Sequence, residues 1–118
     1  MFFTQFLGVT SPGESGQVAR AAFTALVVRG NLVPEISRFL GIVITMYFND
    51  HNPPHFHVRY DEHRAIVGID PLELRDGSLP PRVLGLVMEW AEIHQVALGR
   101  NWTGLATEGT FSRIPPLV

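Results

Sequence analysis

The chain of 118 residues has no cysteine, which excludes disulfides, Cys-ligated zinc and thiol catalysis and fits a cytoplasmic setting. Lysine is missing too, so all nine basic residues are arginine. With eleven acidic residues the formal charge is -2, and no basic excess draws the chain onto nucleic acid or an acidic membrane. Any nucleic-acid role must rest on a local patch. The opening MFFTQFLGV has no cationic flank and is too short for a secretory leader or a membrane span. There is no repeat, no low-complexity run, no glycine-rich phosphate loop, no dinucleotide fingerprint and no Ser-His-Asp order, so a nucleotide enzyme is set aside. The expectation is one soluble, cytoplasmic domain with a modest core, not bound to membranes.

What is present is concentrated. Phe48 to Tyr60 reads FNDHNPPHFHVRY and holds three of the five histidines, His51, His55 and His57, beside Asn49, Asp50 and a Pro53-Pro54 turn. Before it, Ile42, Ile44, Met46 and Phe48 alternate with Val43, Thr45 and Tyr47, which is strand periodicity over Gly41 to Phe48. A second strand is predicted over Phe56 to Tyr60. The polar turn Asp61-Glu62-His63-Arg64 leads to a third, Ala65 to Asp70, with a short fourth at Leu72 to Leu74. Connections this short imply an antiparallel meander. Upstream, Thr10 to Gly16 reads as loop and Gln17 to Val28 as a weak helix.

One helix is predicted downstream. Ser78 suits its cap and Pro80-Pro81 its first turn, while Val83, Leu86, Val87, Trp90, Ile93, Ala97 and Leu98 recur at helical spacing. Gly99 reads as its stop, with Asn101 to Ala106 as an optional further turn. Trp90 belongs to the core, whereas Trp102 is open to either the core or a partner. Glu89, Glu92 and His94 read as a solvated face, because His-Glu-x-x-His is absent.

A sheet that buries one face under a helix leaves the other to water or a ligand. Pairing Asn49 with His55 and Tyr60 with Ala65 brings apolar partners together and puts His55 across from Asp70 and His57 across from Gly68. Both histidines then point away from the helix, beside Tyr47, Asn49, Arg59 and Arg64.

Three chemistries suit that face and stay open. Acid-base work uses His55 or His57, with Asp70 orienting an imidazole, His51 at the rim and Arg59 or Arg64 gripping a phosphate. It needs no cofactor. A divalent metal would instead take His55 and His57, with Asp70 or His51 as third ligand. The bland alternative leaves these histidines as ordinary solvated strand residues around a proline-set turn.

The run PEISRFLGIVITMYFNDHNPPHFHVRYDEHRAIVGI, followed by LELRDGSLPPRVLGLVMEWAEIHQVAL, resembles the small bacterial family called domain of unknown function 4160, from Pro34 to about Trp102. The resemblance implies one half of a two-gene module, beside a small protein of the family called domain of unknown function 2442, and so a toxin-antitoxin arrangement. It carries over no catalytic residue. Val33 stands where that family begins with Met, and valine can be read from an alternative start codon, so residues 1–32 are expected to be an extension from a misplaced gene start.

The resulting expectation is an α+β domain over residues 33–107, a three- or four-stranded antiparallel meander on one long C-terminal helix, with residues 108–118 as a tail. The expected function is a toxin-like component acting on RNA, with His55, His57 and Asp70 catalytic and Tyr47, Asn49, His51, Arg59 and Arg64 around the substrate. A non-catalytic module that binds the small protein of the neighbouring gene is the rival.

Overall fold

The computed structural model describes residues 25–28 and 31–118, with side chains from Val33 onward. Six strands follow one another in a single antiparallel order, β1 (Ala25–Val28), β2 (Asn31–Phe39), β3 (Ile42–Thr45), β4 (His55–Tyr60), β5 (His63–Ile69) and β6 (Leu72–Gly77). Two helices, α1 (Pro81–Ile93) and α2 (Gln95–Thr107), complete the chain's regular structure. The meander and the α+β class agree with the sequence reading; the strand and helix numbers do not.

Each difference has a local cause. β2 hides in the sequence because Pro34, Glu35, Ser37 and Arg38 interrupt any apolar alternation, and the strand tolerates them through a bulge between Glu35 and Ser37. Leu40 and Gly41, with positive φ of 53° and 80°, turn the chain directly into β3. Ala25–Val28, predicted as the end of a helix, is strand and pairs with Asn31–Pro34, where β-branched Val27 and Val28 suit extended backbone. The end of the expected extension, residues 25–28 and 31–32, is thus part of the sheet, while the rest of it, with the rest of that predicted helix, lies outside the described residues. Ser78 does not cap α1: its N–H donates to the Arg64 carbonyl and prolongs the β5–β6 pairing, and Pro80 occupies the cap position instead. The helical run breaks at His94, not at Gly99, which lies inside α2.

The core lies between the helices and one sheet face. Ile42, Ile44, Phe56, Val58, Val67 and Ile69 meet Val83, Val87, Trp90 and Leu98, all buried. Trp90 is fully enclosed, packed edge-on to Phe56 at 5.9 Å between ring centroids and tilted against Phe39 at 5.8 Å. At about 25 cal/mol per Å² such a ring contributes several kcal/mol. Its indole N–H donates to the Pro115 carbonyl at 2.9 Å.

That bond belongs to a larger correction, because residues 108–118 are not a tail. Phe111 and Ile114 are buried in the core, Ile114 N–H donates to the Ile36 carbonyl, and buried Asn101 exchanges two hydrogen bonds with Ser112. The segment is short and rich in proline, so neither periodicity marks it. Glu35 ties it to β2 electrostatically: its carboxylate accepts from Arg38 at 2.8 Å and pairs with Arg113 at 3.2 Å.

The Arg38 hydrogen bond, opposed by burial and supported by the charges of Arg38 and Arg113, holds the Glu35 carboxyl below its ordinary range. A carboxyl depressed in the folded state stabilises above its unfolded pKa, and that contribution is lost as pH falls through the folded value. Glu35→Gln should therefore cost about 1 to 3 kcal/mol at neutral pH in urea denaturation. The gap to the parent should close in acid, below roughly pH 4. A gap independent of pH would show that Glu35 acts by packing alone.

Candidate metal centre

Residues 46–54, between β3 and β4, form the site's roof and β4 its floor. Alternation along β4 turns Phe56 and Val58 into the core and leaves His55, His57 and Arg59 on the other face. The parity inferred from sequence is therefore right. Both registers are displaced by two residues from the expected ones: Thr45, not Tyr47, lies opposite His57, with a longer connection than expected, and Tyr60 pairs with His63, with a tighter one. A shift of two preserves every face and changes every partner.

Asp70 is the casualty of that shift. His55 lies across from Gly68, while Asp70 is exposed in the turn after β5. The carboxylate that reaches the histidines is Asp50, carried there by the long roof loop, in which Asn49 adopts positive φ (56°). Asp50 Oδ2 lies 2.9 Å from His55 Nε2 and 3.4 Å from His57 Nε2. Its Oδ1 accepts from the His51 backbone N–H at 2.8 Å and lies 2.9 Å from His51 Nδ1. One ligand atom from each of Asp50, His55 and His57 falls within 4.8 Å of the others.

The surroundings hold these groups still. His55 is buried at 4 % exposure, its ring 5.0 Å from that of Trp102, so this histidine does not point away from both helices as expected. The break at His94 lets α2 return to the sheet: Gln95 Nε2 donates to the Ile69 carbonyl, and Trp102 reaches the site. His55 Nδ1 donates to the Pro53 carbonyl at 2.9 Å. His57 stacks on Tyr47, ring centroids 4.2 Å apart and planes within 10°. His51 is exposed at the rim, as predicted, and Asn49 is exposed on the roof.

Burial resists charge on both central groups. It lowers the pKa of His57, with the charges of His55 and His51 acting in the same direction and Asp50 acting against. For Asp50 burial also opposes ionisation, but the His51 N–H and the two imidazoles outweigh it and keep the carboxyl below its ordinary range. The site is thus prepared as an ionised carboxylate beside a neutral His57.

Beyond His57 the sheet face away from the helices is concave. Val43 and Thr45 are buried there, and a trough of about 240 Å³ is lined by Tyr47, His57, Arg59, Arg64 and Ile66 among others. Arg59 and Arg64 therefore share the trough with His57 but not with His55 or His51. Arg75, unforeseen, is placed by a missing side chain: a Cβ on Gly68 would collide with Arg75 Nε, so the guanidinium crosses the position opposite His55. The cue for Asp50 was present in the sequence, since a loop longer than a hairpin needs and crowded with polar groups is the kind that folds over a site.

Asp50→Asn should lower the stability of chelator-treated protein by about 1 to 3 kcal/mol, because the proton that must lie between His55 Nε2 and Asp50 Oδ2 when no metal is bound loses its carboxylate acceptor. Asp70→Asn should stay within about 0.5 kcal/mol of the parent. Urea denaturation of the two variants side by side decides; equal effects would deny Asp50 its organising part.

Among the described residues no helix is long and apolar enough to cross a membrane. No curated protein and no solved structure matches the chain. One family model does, over residues 41–103, a span that runs from the turn before β3 to just past Trp102 and takes in Asp50, His55 and His57. With just over half of its length matched, the chain belongs to the family described as Domain of unknown function (DUF4160).

Proposed function

We propose that this protein is a small metal-dependent hydrolytic domain in which Asp50, His55 and His57 hold one divalent cation at the mouth of the trough. The hydrogen bonding of His55 carries the reading. A carbonyl only accepts, so the Pro53 contact puts a proton on Nδ1 and, in a neutral ring, leaves a lone pair on Nε2. That lone pair faces a carboxylate oxygen at 2.9 Å. Two lone pairs this close need a positive charge between them. A second proton would serve these two atoms; a metal ion also serves His57 Nε2, the third atom of the group.

The two distances from Asp50 Oδ2, 2.9 and 3.4 Å, agree with that choice. Ligands about 2.0 to 2.1 Å from a shared ion stand roughly 2.9 to 3.4 Å apart at octahedral or tetrahedral angles. A metal-bound histidine usually donates its other nitrogen to a carbonyl or carboxylate, which is what His55 does. Two imidazoles and a carboxylate suit zinc or iron(II), with the remaining positions left for water and substrate. Such a cation supplies Lewis acidity and a water that ionises near neutral pH. The protein's own groups orient that chemistry: Tyr47 fixes the His57 ring, Pro53 sets the His55 tautomer, and exposed His51, touching Asp50, can pass a proton to solvent.

The biological setting proposed is the one suggested by the family resemblance, a toxin-like component acting on RNA and restrained by the small protein of its neighbouring gene. Metal-free acid-base catalysis would use the same residues, with Asp50 in place of Asp70 as the orienting group. Metal dependence separates the two.

Chelated protein titrated with zinc should bind one equivalent and gain about 2.7 kcal/mol of stability at a hundredfold excess over Kd. His55→Ala, His57→Ala and Asp50→Asn should each weaken binding by at least about tenfold, while Asp70→Asn should not. Binding should be steady near neutral pH and above and decline in acid, below the ordinary histidine value of about 6.5, as His57, whose pKa burial lowers, takes up a proton. Zinc affinity unaffected by His57→Ala would refute the centre.

A further inference from the structure

Arg59 and Arg64 are direct cross-strand partners in β4 and β5, and both line the trough. Like charges directly opposite on a sheet repel. Among the described residues neither has a carboxylate within ion-pair distance; the arginines so paired are Arg38, Arg75 and Arg113. Asp76 also lines the trough, its Oδ1 accepting from the Gly77 N–H, but no arginine of the described residues lies within ion-pair distance of it. Two arginines at directly opposed positions, neither in an ion pair among the described residues, put two cations on one wall of the trough for an anionic ligand to bridge.

We infer that the missing half is the phosphodiester backbone of a single-stranded nucleic acid, with Arg59 and Arg64 clamping the phosphate next to the one presented to His57. This rests on the proposed metal centre only for which phosphate reacts. Along β4, His55, His57 and Arg59 share a face at intervals of about 6 to 7 Å, so an extended backbone following the strand meets the cluster and the clamp in turn. Arg75, lying over Gly68, adds a cation in the row of His55.

Aromatic exposure selects single strands. Tyr47 is 42 % exposed although one face of its ring stacks on His57, and Phe48 next to it is 46 % exposed. Such rings accept unstacked bases, which a duplex does not offer. The net charge of -2 provides no background attraction, so the clamp must carry a large share of the affinity.

The experiment is fluorescence anisotropy with short labelled RNA and DNA single strands and the corresponding duplex, on chelated and zinc-loaded protein. Single strands should bind better than duplex, and the tighter of RNA and DNA names the substrate. Replacing both Arg59 and Arg64 with alanine should weaken binding by at least about tenfold. It should also flatten the slope of log K against log salt by roughly 0.7 for each phosphate that the arginines no longer neutralise. Arg64→Glu gives Arg59 a cross-strand partner, and should abolish binding while the Tm stays level or rises, which separates the clamp from a structural role. Equal binding by parent and variants, or a preference for duplex, overturns the inference. Failure of the metal centre reads differently: strands would still bind in chelator while zinc would not.

Discussion

A single carboxylate oxygen, Asp50 Oδ2, shared by the Nε2 atoms of His55 and His57, is the constraint on which the rest of the site depends. Buried imidazoles and a buried carboxylate are costly unless each finds a partner. The surrounding architecture supplies those partners. Pro53 gives its carbonyl to His55, His51 gives its N–H to Asp50, Tyr47 lies flat on His57, and Trp102 closes over His55. Held this way, the cluster is rigid before any ligand arrives, which is the condition for a site that binds tightly or reacts.

The helices matter to the site as well as to the core. A single straight helix after Pro81 would carry its last turns past the sheet. The break at His94 brings α2 back, so that Gln95 docks on the end of β5 and Trp102 on His55. The last residues add a second brace, through Asn101 to Ser112 and Trp90 to Pro115. The concave face beyond His57 is left uncovered by both helices, with Arg64 and Tyr47 exposed on it and Arg59 half-exposed.

Strand alternation was legible because period-two burial is written directly into residue order: His55, His57 and Arg59 could be assigned to one face, and Phe56 and Val58 to the other, before any coordinates. Register was less legible. Hairpins that differ by two residues keep the same face pattern, so apolar matching accepted a partner set in which Asp70 met His55. Asp50 was legible only as a member of a long polar loop, since the reach of its carboxylate to the histidines comes from a loop conformation around Asn49 that no periodicity encodes. β2 was obscured by Pro34 and its polar neighbours, and the C-terminal segment by its brevity, because both owe their places to tertiary partners. Arg75 depends on an absent side chain at Gly68, which is visible only once β5 and β6 are paired.

The central claim is that a cation occupies the space between Asp50, His55 and His57. Anomalous diffraction from crystals grown with zinc, collected on either side of the metal's absorption edge, tests it most directly. The expected result is one strong peak about 2.0 to 2.2 Å from Asp50 Oδ2, His55 Nε2 and His57 Nε2. A cluster without anomalous signal, with His55 Nε2 still in direct contact with Asp50 Oδ2 while zinc sits elsewhere, would contradict it.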